Sequence, residues 1–160
     1  MEPWGRGYHF PDGPKRTNMG LVGADEAFQV VIIDDSPLQG ALVRRTLEQR
    51  FGDRVHVSVF TDPTVGVEVL GPSVGLLLVD WQMPGLDGHC VVDRAVQQGV
   101  DPKRIIVSSS HSALELHEEF DCQGCLAVIE KGEQQQQDAF MMILDGLVRR
   151  HERERAAVVT

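Results

Sequence analysis

The chain has little of what marks a secreted, membrane-embedded or nucleic-acid-binding protein. Three cysteines occur in 160 residues, Cys90, Cys122 and Cys125. That is no disulfide framework, so a reducing cytoplasm is the expected compartment. The longest apolar runs, such as Val74 to Val79, fall far short of the roughly 20 residues that span a bilayer. No basic segment followed by an apolar stretch opens the chain, and no membrane association is expected. Basic residues are the minority, 15 Lys and Arg against 24 Asp and Glu, for a net charge of -9. An acidic surface repels nucleic acid and anionic lipid and leaves carboxylates for hard cations. With no basic stripe or recognition-helix signal, direct nucleic-acid binding is not expected. Internal repeats are absent, and Gln134 to Gln137 is too short for a low-complexity tract.

What is present is an ordinary globular composition, 42% hydrophobic and 24% charged, in a length that suits one domain with a real core. Residues 1–27 are rich in Gly and Pro and lack periodicity, which reads as a flexible extension. Its aromatic residues Trp4, Tyr8 and Phe10 leave open that it docks somewhere. Phe28 to Asp34 is a short apolar, β-branched run, the pattern of a strand buried on both faces. Ser36-Pro37-Leu38-Gln39 supplies a capping Ser, a Pro at the first helical position and a Gln in the capping-box place, predicting a helix to about Arg50. Further strands are expected over Val55–Phe60, Val74–Val79, Arg104–Ser109 and Leu126–Glu130. Helices are expected over about Gly88–Gln98, Ser112–Phe120 and Gln134–Arg153. In the last of these, Phe140, Ile143, Leu144 and Leu147 form an apolar stripe at helical spacing. Strands alternating with helices mean βαβ units and a parallel sheet. The expected fold is α/β, a flavodoxin-like doubly wound five-stranded parallel sheet of order 2-1-3-4-5. The domain is expected over 28–153, with 154–160 a tail or the start of a linker.

In such sheets ligands lie beyond the carboxyl ends of the strands, where the strand order switches. The first and third strands are neighbours there. One ends in Asp34-Asp35 and the other in Asp80. Carboxylates brought together this way raise one another's pKa values, and a divalent cation relieves the repulsion. Mg²⁺ suits a small oxygen-only site. The fourth strand ends in Ser108-Ser109-Ser110 and the fifth leads into Lys131, adding a hydroxyl and an ammonium at the same edge. That set suffices for phosphoryl transfer to a carboxylate, with Asp80 attacking phosphorus in line.

Four segments carry a resemblance: Val-Val-Ile-Ile-Asp34-Asp35-Ser-Pro, Leu-Leu-Leu-Val-Asp80-Trp-Gln-Met-Pro84-Gly85-Leu-Asp87-Gly88, Ile-Ile-Val-Ser-Ser109-Ser and Val-Ile-Glu-Lys131. Over residues 28–150 the chain resembles the receiver domains of two-component response regulators, chemotaxis-regulator-like. The resemblance implies phosphorylation by a histidine kinase or a histidine phosphotransfer protein, with Asp80 the acceptor. It implies Mg²⁺ held directly by Asp35 and Asp80 and by the backbone carbonyl of Gln82, with Asp34 acting mainly through water. Ser109 becomes the switch hydroxyl, preferred to Ser108 because its spacing to Lys131 fits the family without an insertion. Such a domain is a signalling phosphoprotein that assists its own phosphotransfer and dephosphorylation rather than an enzyme. Its output is protein–protein contact, including a possible homodimer through the last helix-strand-helix face.

The sequence also departs from the family. Gly132 follows Lys131 where Pro after a cis peptide is usual; a non-proline cis bond costs roughly 3 kcal/mol, so a trans bond and an altered loop are expected. Val128 replaces the aromatic that ordinarily swings inward on activation. Gln82 and His111 occupy the positions that tune loss of the phosphoryl group to water. Cys122-Gln-Gly-Cys125 is a CxxC with His117 nearby. Zinc needs a second ligand pair that is not evident, however, and Gly124 matches a turn glycine. Two other classes compete. A haloacid-dehalogenase-type aspartyl phosphatase normally has Asp where Gln82 stands. A pseudo-receiver interaction module would be expected to lose one of the three acidic residues.

Overall fold

A computed structural model describes residues 26–109, 125 and 127–159. The readings made for residues 1–25, the helix expected over 112–120, His111, His117, Cys122 and Gly124 lie outside the described residues.

Strands β1 (Phe28–Ile33), β2 (Val55–Phe60), β3 (Leu76–Asp80), β4 (Ile105–Ser109) and β5 (Ala127–Glu130) form one sheet in the order β2-β1-β3-β4-β5. Every pairing is parallel, as the flavodoxin-like reading requires. The central strands β1, β3 and β4 carry near-continuous apolar runs because both faces of the sheet are covered. Alternate residues divide between two cores. On one side Val30, Ile32, Leu76, Leu78 and Ile106 pack with Leu47 and Phe51 of helix α1 (Pro37–Phe51) and with Phe140, Leu144 and Val148 of the last helix, α4 (Gln134–Val159). On the other, Val31, Ile33, Leu77, Val79 and Val107 meet Val91, Val92 and Ala95 of helix α3 (Gly88–Gln97). Among the described residues no helix is long and apolar enough to cross a membrane.

Three larger differences from expectation stand out, besides one-residue shifts such as that of β4, which begins at Ile105 rather than Arg104. The third strand begins at Leu76 rather than Val74. Val74 N–H instead closes a turn onto Gly71 O at 3.1 Å, and a Cβ on Gly75 would stand 2.5 Å from the Phe28 ring. Between β2 and β3 lies a helical turn that has no apolar periodicity, α2 (Pro63–Gly66), extended by a 3₁₀ turn over Val67–Val69. It is capped by Asp62, whose carboxylate accepts from Thr64 N–H at 3.0 Å. Its brevity follows from composition: Gly66 and the β-branched Val65, Val67 and Val69 are poor helix formers. The last helix continues past the expected Arg153 to Val159. There Arg54 makes a two-pronged contact with Glu152 at 2.8 and 3.0 Å, and Arg150 pairs with Glu154 one turn on at 3.1 Å.

Candidate phosphoryl-acceptor site

Backbone geometry delivers the acidic groups to one edge. β1 stops at Ile33, and Asp34 N–H still bonds Phe60 O at 3.1 Å, so the Asp34 side chain leaves from a fixed point. Its Oδ1 accepts from Ser36 N–H at 2.9 Å. Ser36 in turn caps α1 by accepting from Gln39 N–H, and Pro37 fills the first helical position. Asp35, between these anchored residues, is exposed while Asp34 is buried. Asp80 is the last residue of β3 and buried. The chain leaves it with Trp81 N–H on Ser108 O at 2.8 Å, and Gln82 N–H reaches Asp80 Oδ1 at 3.3 Å. Asp87 caps α3 by accepting from Cys90 N–H at 3.0 Å.

The three carboxylates Asp34, Asp35 and Asp80 converge, one ligand oxygen of each lying within 4.8 Å of the others. Lys131 Nζ stands between the two buried ones, 3.0 Å from Asp34 Oδ2 and 3.4 Å from Asp80 Oδ1. One ammonium does not balance them. Burial, and then the Asp34 carboxylate, push Asp80 up to about 7, against the opposing pull of Lys131 and the Gln82 N–H. An excess of hard oxygen donors with unbalanced negative charge is what a small divalent cation fits.

The remaining residues divide. Lys131 N–H bonds Ser109 O at 2.7 Å, locking the end of β5 to the end of β4. Ser109 is fully buried. Ser108 pairs with Asp80 in the sheet register, and strand alternation puts it on the Ile106 side with Asp80. Gly132 has φ 87° and no described peptide bond is cis, so the bond after Lys131 is trans and the loop turns through a left-handed glycine. Val128 is half-buried opposite Val107 and packs into the core. Cys125 is half-buried, and burial pushes its thiol up to about 11, which keeps it protonated and a poor nucleophile.

One residue that sequence reasoning left without a role is Gly88. A Cβ there would stand 2.7 Å from Trp81 Cα and 3.0 Å from Asp80 O, both backbone atoms that cannot rotate away. Gly88 N–H also bonds Trp81 O at 3.1 Å. Gly88→Ala is therefore expected to cost about 1–3 kcal/mol, as overpacking does, read from the midpoint of urea unfolding. An unchanged midpoint would mean that the loop after Asp80 yields freely.

Comparison with known proteins identifies the family of the fold. The family model for the response regulator receiver domain matches residues 30–140. No curated protein sequence matches significantly. Among solved structures, a response regulator receiver protein from Burkholderia phymatum is similar at 24% identity and TM-score 0.61, covering 76% of this chain and 94% of that one. The BeF3-activated receiver domain of RstA from Klebsiella pneumoniae is similar at 22% identity and TM-score 0.63, covering 76% and 98%. The receiver domain of a sensor histidine kinase from Pseudomonas aeruginosa, with a magnesium ion coordinated in its active site cleft, gives 18% identity and TM-score 0.61, again covering 76% and 98%. At these identities the structural likeness establishes the fold, and the family match covers well over half of the chain. This chain is a member of the response regulator receiver domain family, the signalling domain of two-component systems.

Proposed function

We propose that the chain accepts a phosphoryl group on Asp80 from a phosphohistidine donor, a histidine kinase or histidine phosphotransfer protein, and thereby switches its protein contacts. The observation that carries this reading is Lys131 Nζ held between buried Asp34 and Asp80 beside exposed Asp35. In the transfer a phosphorus–nitrogen bond of the donor breaks and a phosphorus–oxygen bond to Asp80 forms, the imidazole leaving with its electron pair. Lys131 stays within reach of the transferring oxygens. Asp35, Asp80 and the Gln82 carbonyl are the residues to hold Mg²⁺. Asp34 fits contact through water, because its oxygens already serve Ser36 N–H and Lys131. When bound, the cation neutralises charge on the transferring oxygens. Ser109, tied through its carbonyl to Lys131, is the switch hydroxyl of this reading.

A protein donor is favoured by the surface beside the site. Leu38 and Leu42, one turn apart on α1, are 68% and 50% exposed. They follow directly on Asp35 and the Ser36 cap, so a helical partner presenting its phosphohistidine to Asp80 would cover them. Domain boundaries of 28–153, a cytoplasmic location and assisted dephosphorylation belong to the same proposal.

The test is intact-mass measurement after incubation with a small-molecule phosphodonor. The natural chain is expected to gain one phosphoryl group with Mg²⁺ present and none once the metal is chelated. A chain that keeps its own mass in Mg²⁺ overturns the proposal.

A further inference from the structure

A groove of about 730 Å³ opens on the sheet away from Asp80. On the α1 side of the edge strand β2, Val55 and Val57 are buried. On the other face His56 and Ser58 are only half-buried, because the chain after β2 gives no more than α2 and one 3₁₀ turn as cover. The groove follows this uncovered face from Ser58 and Val69 to Phe28, Arg104 and His151 at the amino ends of the strands. Its walls are mixed, with Val31, Phe60 and Val74 supplying the apolar surface.

The chain enters the domain at the mouth of this groove. Ala27 and Phe28 line it. Glu26 just outside is fastened to α4: its carbonyl lies 2.9 Å from His151 Nε2 and its carboxylate 3.9 Å from Arg155. The His151 ring meets Phe28 edge to face at 5.6 Å. Residues 1–25 are therefore tethered at the groove itself. They hold Trp4, Tyr8 and Phe10, three of the nine aromatic residues of the chain. Their charges cancel, Arg6, Lys15 and Arg16 against Glu2, Asp12 and Asp25, so the net charge of -9 rests on the remainder and does not repel the segment.

We propose that this groove is the docking site of the chain's own residues 1–25, with the Trp4 to Phe10 stretch seated between β2 and the short α2 turn. Fifteen residues lie between Phe10 and Glu26, and a chain of that length reaches at most about 50 Å. A six-residue strand such as β2 is about 20 Å long. The connecting chain is thus long enough to reach along the groove, and a segment attached at its mouth acts at an effective concentration on the order of 1 mM. A contact with a Kd of only about 0.1 mM then leaves roughly ten chains docked for each one free.

The test uses the full chain carrying Trp81→Phe, which leaves Trp4 as the sole tryptophan of the two. Acrylamide quenching of Trp4 in the folded chain is expected to be weaker than in the urea-unfolded chain by about fivefold or more. Adding Ser58→Arg, which fills the groove, restores it to the unfolded value. Trp4 equally accessible in the folded and unfolded chains overturns the proposal. So does shielding that disappears on dilution, because the occupant would then be a second copy. If the Ser58→Arg chain fails to fold, hydrogen exchange over 55–60 and 72–75 decides. It is expected to be faster in a Trp4→Ala, Tyr8→Ala, Phe10→Ala chain than in the natural one, and equal rates overturn the proposal.

Discussion

The Asp80→Asn protein is expected to accept no phosphoryl group and yet to unfold at a higher temperature than the natural chain at about pH 8. The first half follows from chemistry: the amide is no nucleophile at phosphorus, and its neutral oxygen is a weaker ligand for Mg²⁺ than a carboxylate. The second follows from the acidic pair. Asp80 holds its proton up to about 7 in the folded chain, whereas an unfolded Asp releases it near 4. Between those values the folded chain binds a proton that the unfolded chain has lost, so stability falls as pH rises through that window and stays reduced above it. The full shift corresponds to more, but some solvent reaches the edge of the sheet and Lys131 shares the charge, so the penalty is on the order of 2 kcal/mol. Asparagine removes it. For a chain of this size that amounts to about 4–8 °C in Tm, measured without metal, and the gap should close towards about pH 4. Mg²⁺ should narrow or reverse the gap by binding the natural chain more tightly and so stabilising it more. Equal melting of the two proteins without metal at about pH 8 would show that the pair is not strained.

Lys131→Met is expected to slow phosphorylation by a small phosphodonor roughly a hundredfold, the usual effect of removing one charge-stabilising group from a preorganised site. Two effects combine. The ammonium stands 3.4 Å from the Asp80 carboxylate, close to where charge would gather on the transferring oxygens in the proposed reaction. It also holds Asp80 down against burial and Asp34, so its loss leaves less of the carboxylate ionised at neutral pH. Methionine keeps the stem that packs at the end of β5 and removes only the charge. The initial rate of phosphate incorporation reads the first effect, and its recovery at higher pH separates the second. An unchanged rate would take Lys131 out of the reaction.

The fold and the acidic centre were legible for one reason. Strands buried on both faces must be written as continuous apolar runs, and the residues that end those runs stand at the ligand-binding edge by topology. Asp34, Asp35, Asp80 and Lys131 could be placed from those ends alone. Assigning their roles needed the resemblance. The α2 turn escaped because it has neither length nor periodicity, although Asp62-Pro63 is a capping signal of the same type as Ser36-Pro37. Val74 and Gly75 continued an apolar run, and only the approach of Phe28 explains why the strand starts after them. Gly88 was invisible for a related cause: its constraint is the backbone of Trp81, a tertiary neighbour that no local pattern announces. Val128, singled out from the resemblance as standing where an aromatic is usual, packs half-buried against the core opposite Val107.

Helix α4 starts three residues beyond Lys131 and runs unbroken for 26 residues, about 39 Å at 1.5 Å per residue. It therefore joins the Asp80 end of the sheet to the opposite end as a single rod, clipped at its far end by Arg54 and Glu26. A rod pivoting at one end is a lever. A tilt of about 5° at Gln134 sweeps Val159 through about 3 Å, a displacement large enough to make or break a side-chain contact. Amplification of this kind requires no moving ring in β5, and a spectroscopic probe placed at exposed Val158 would register it directly.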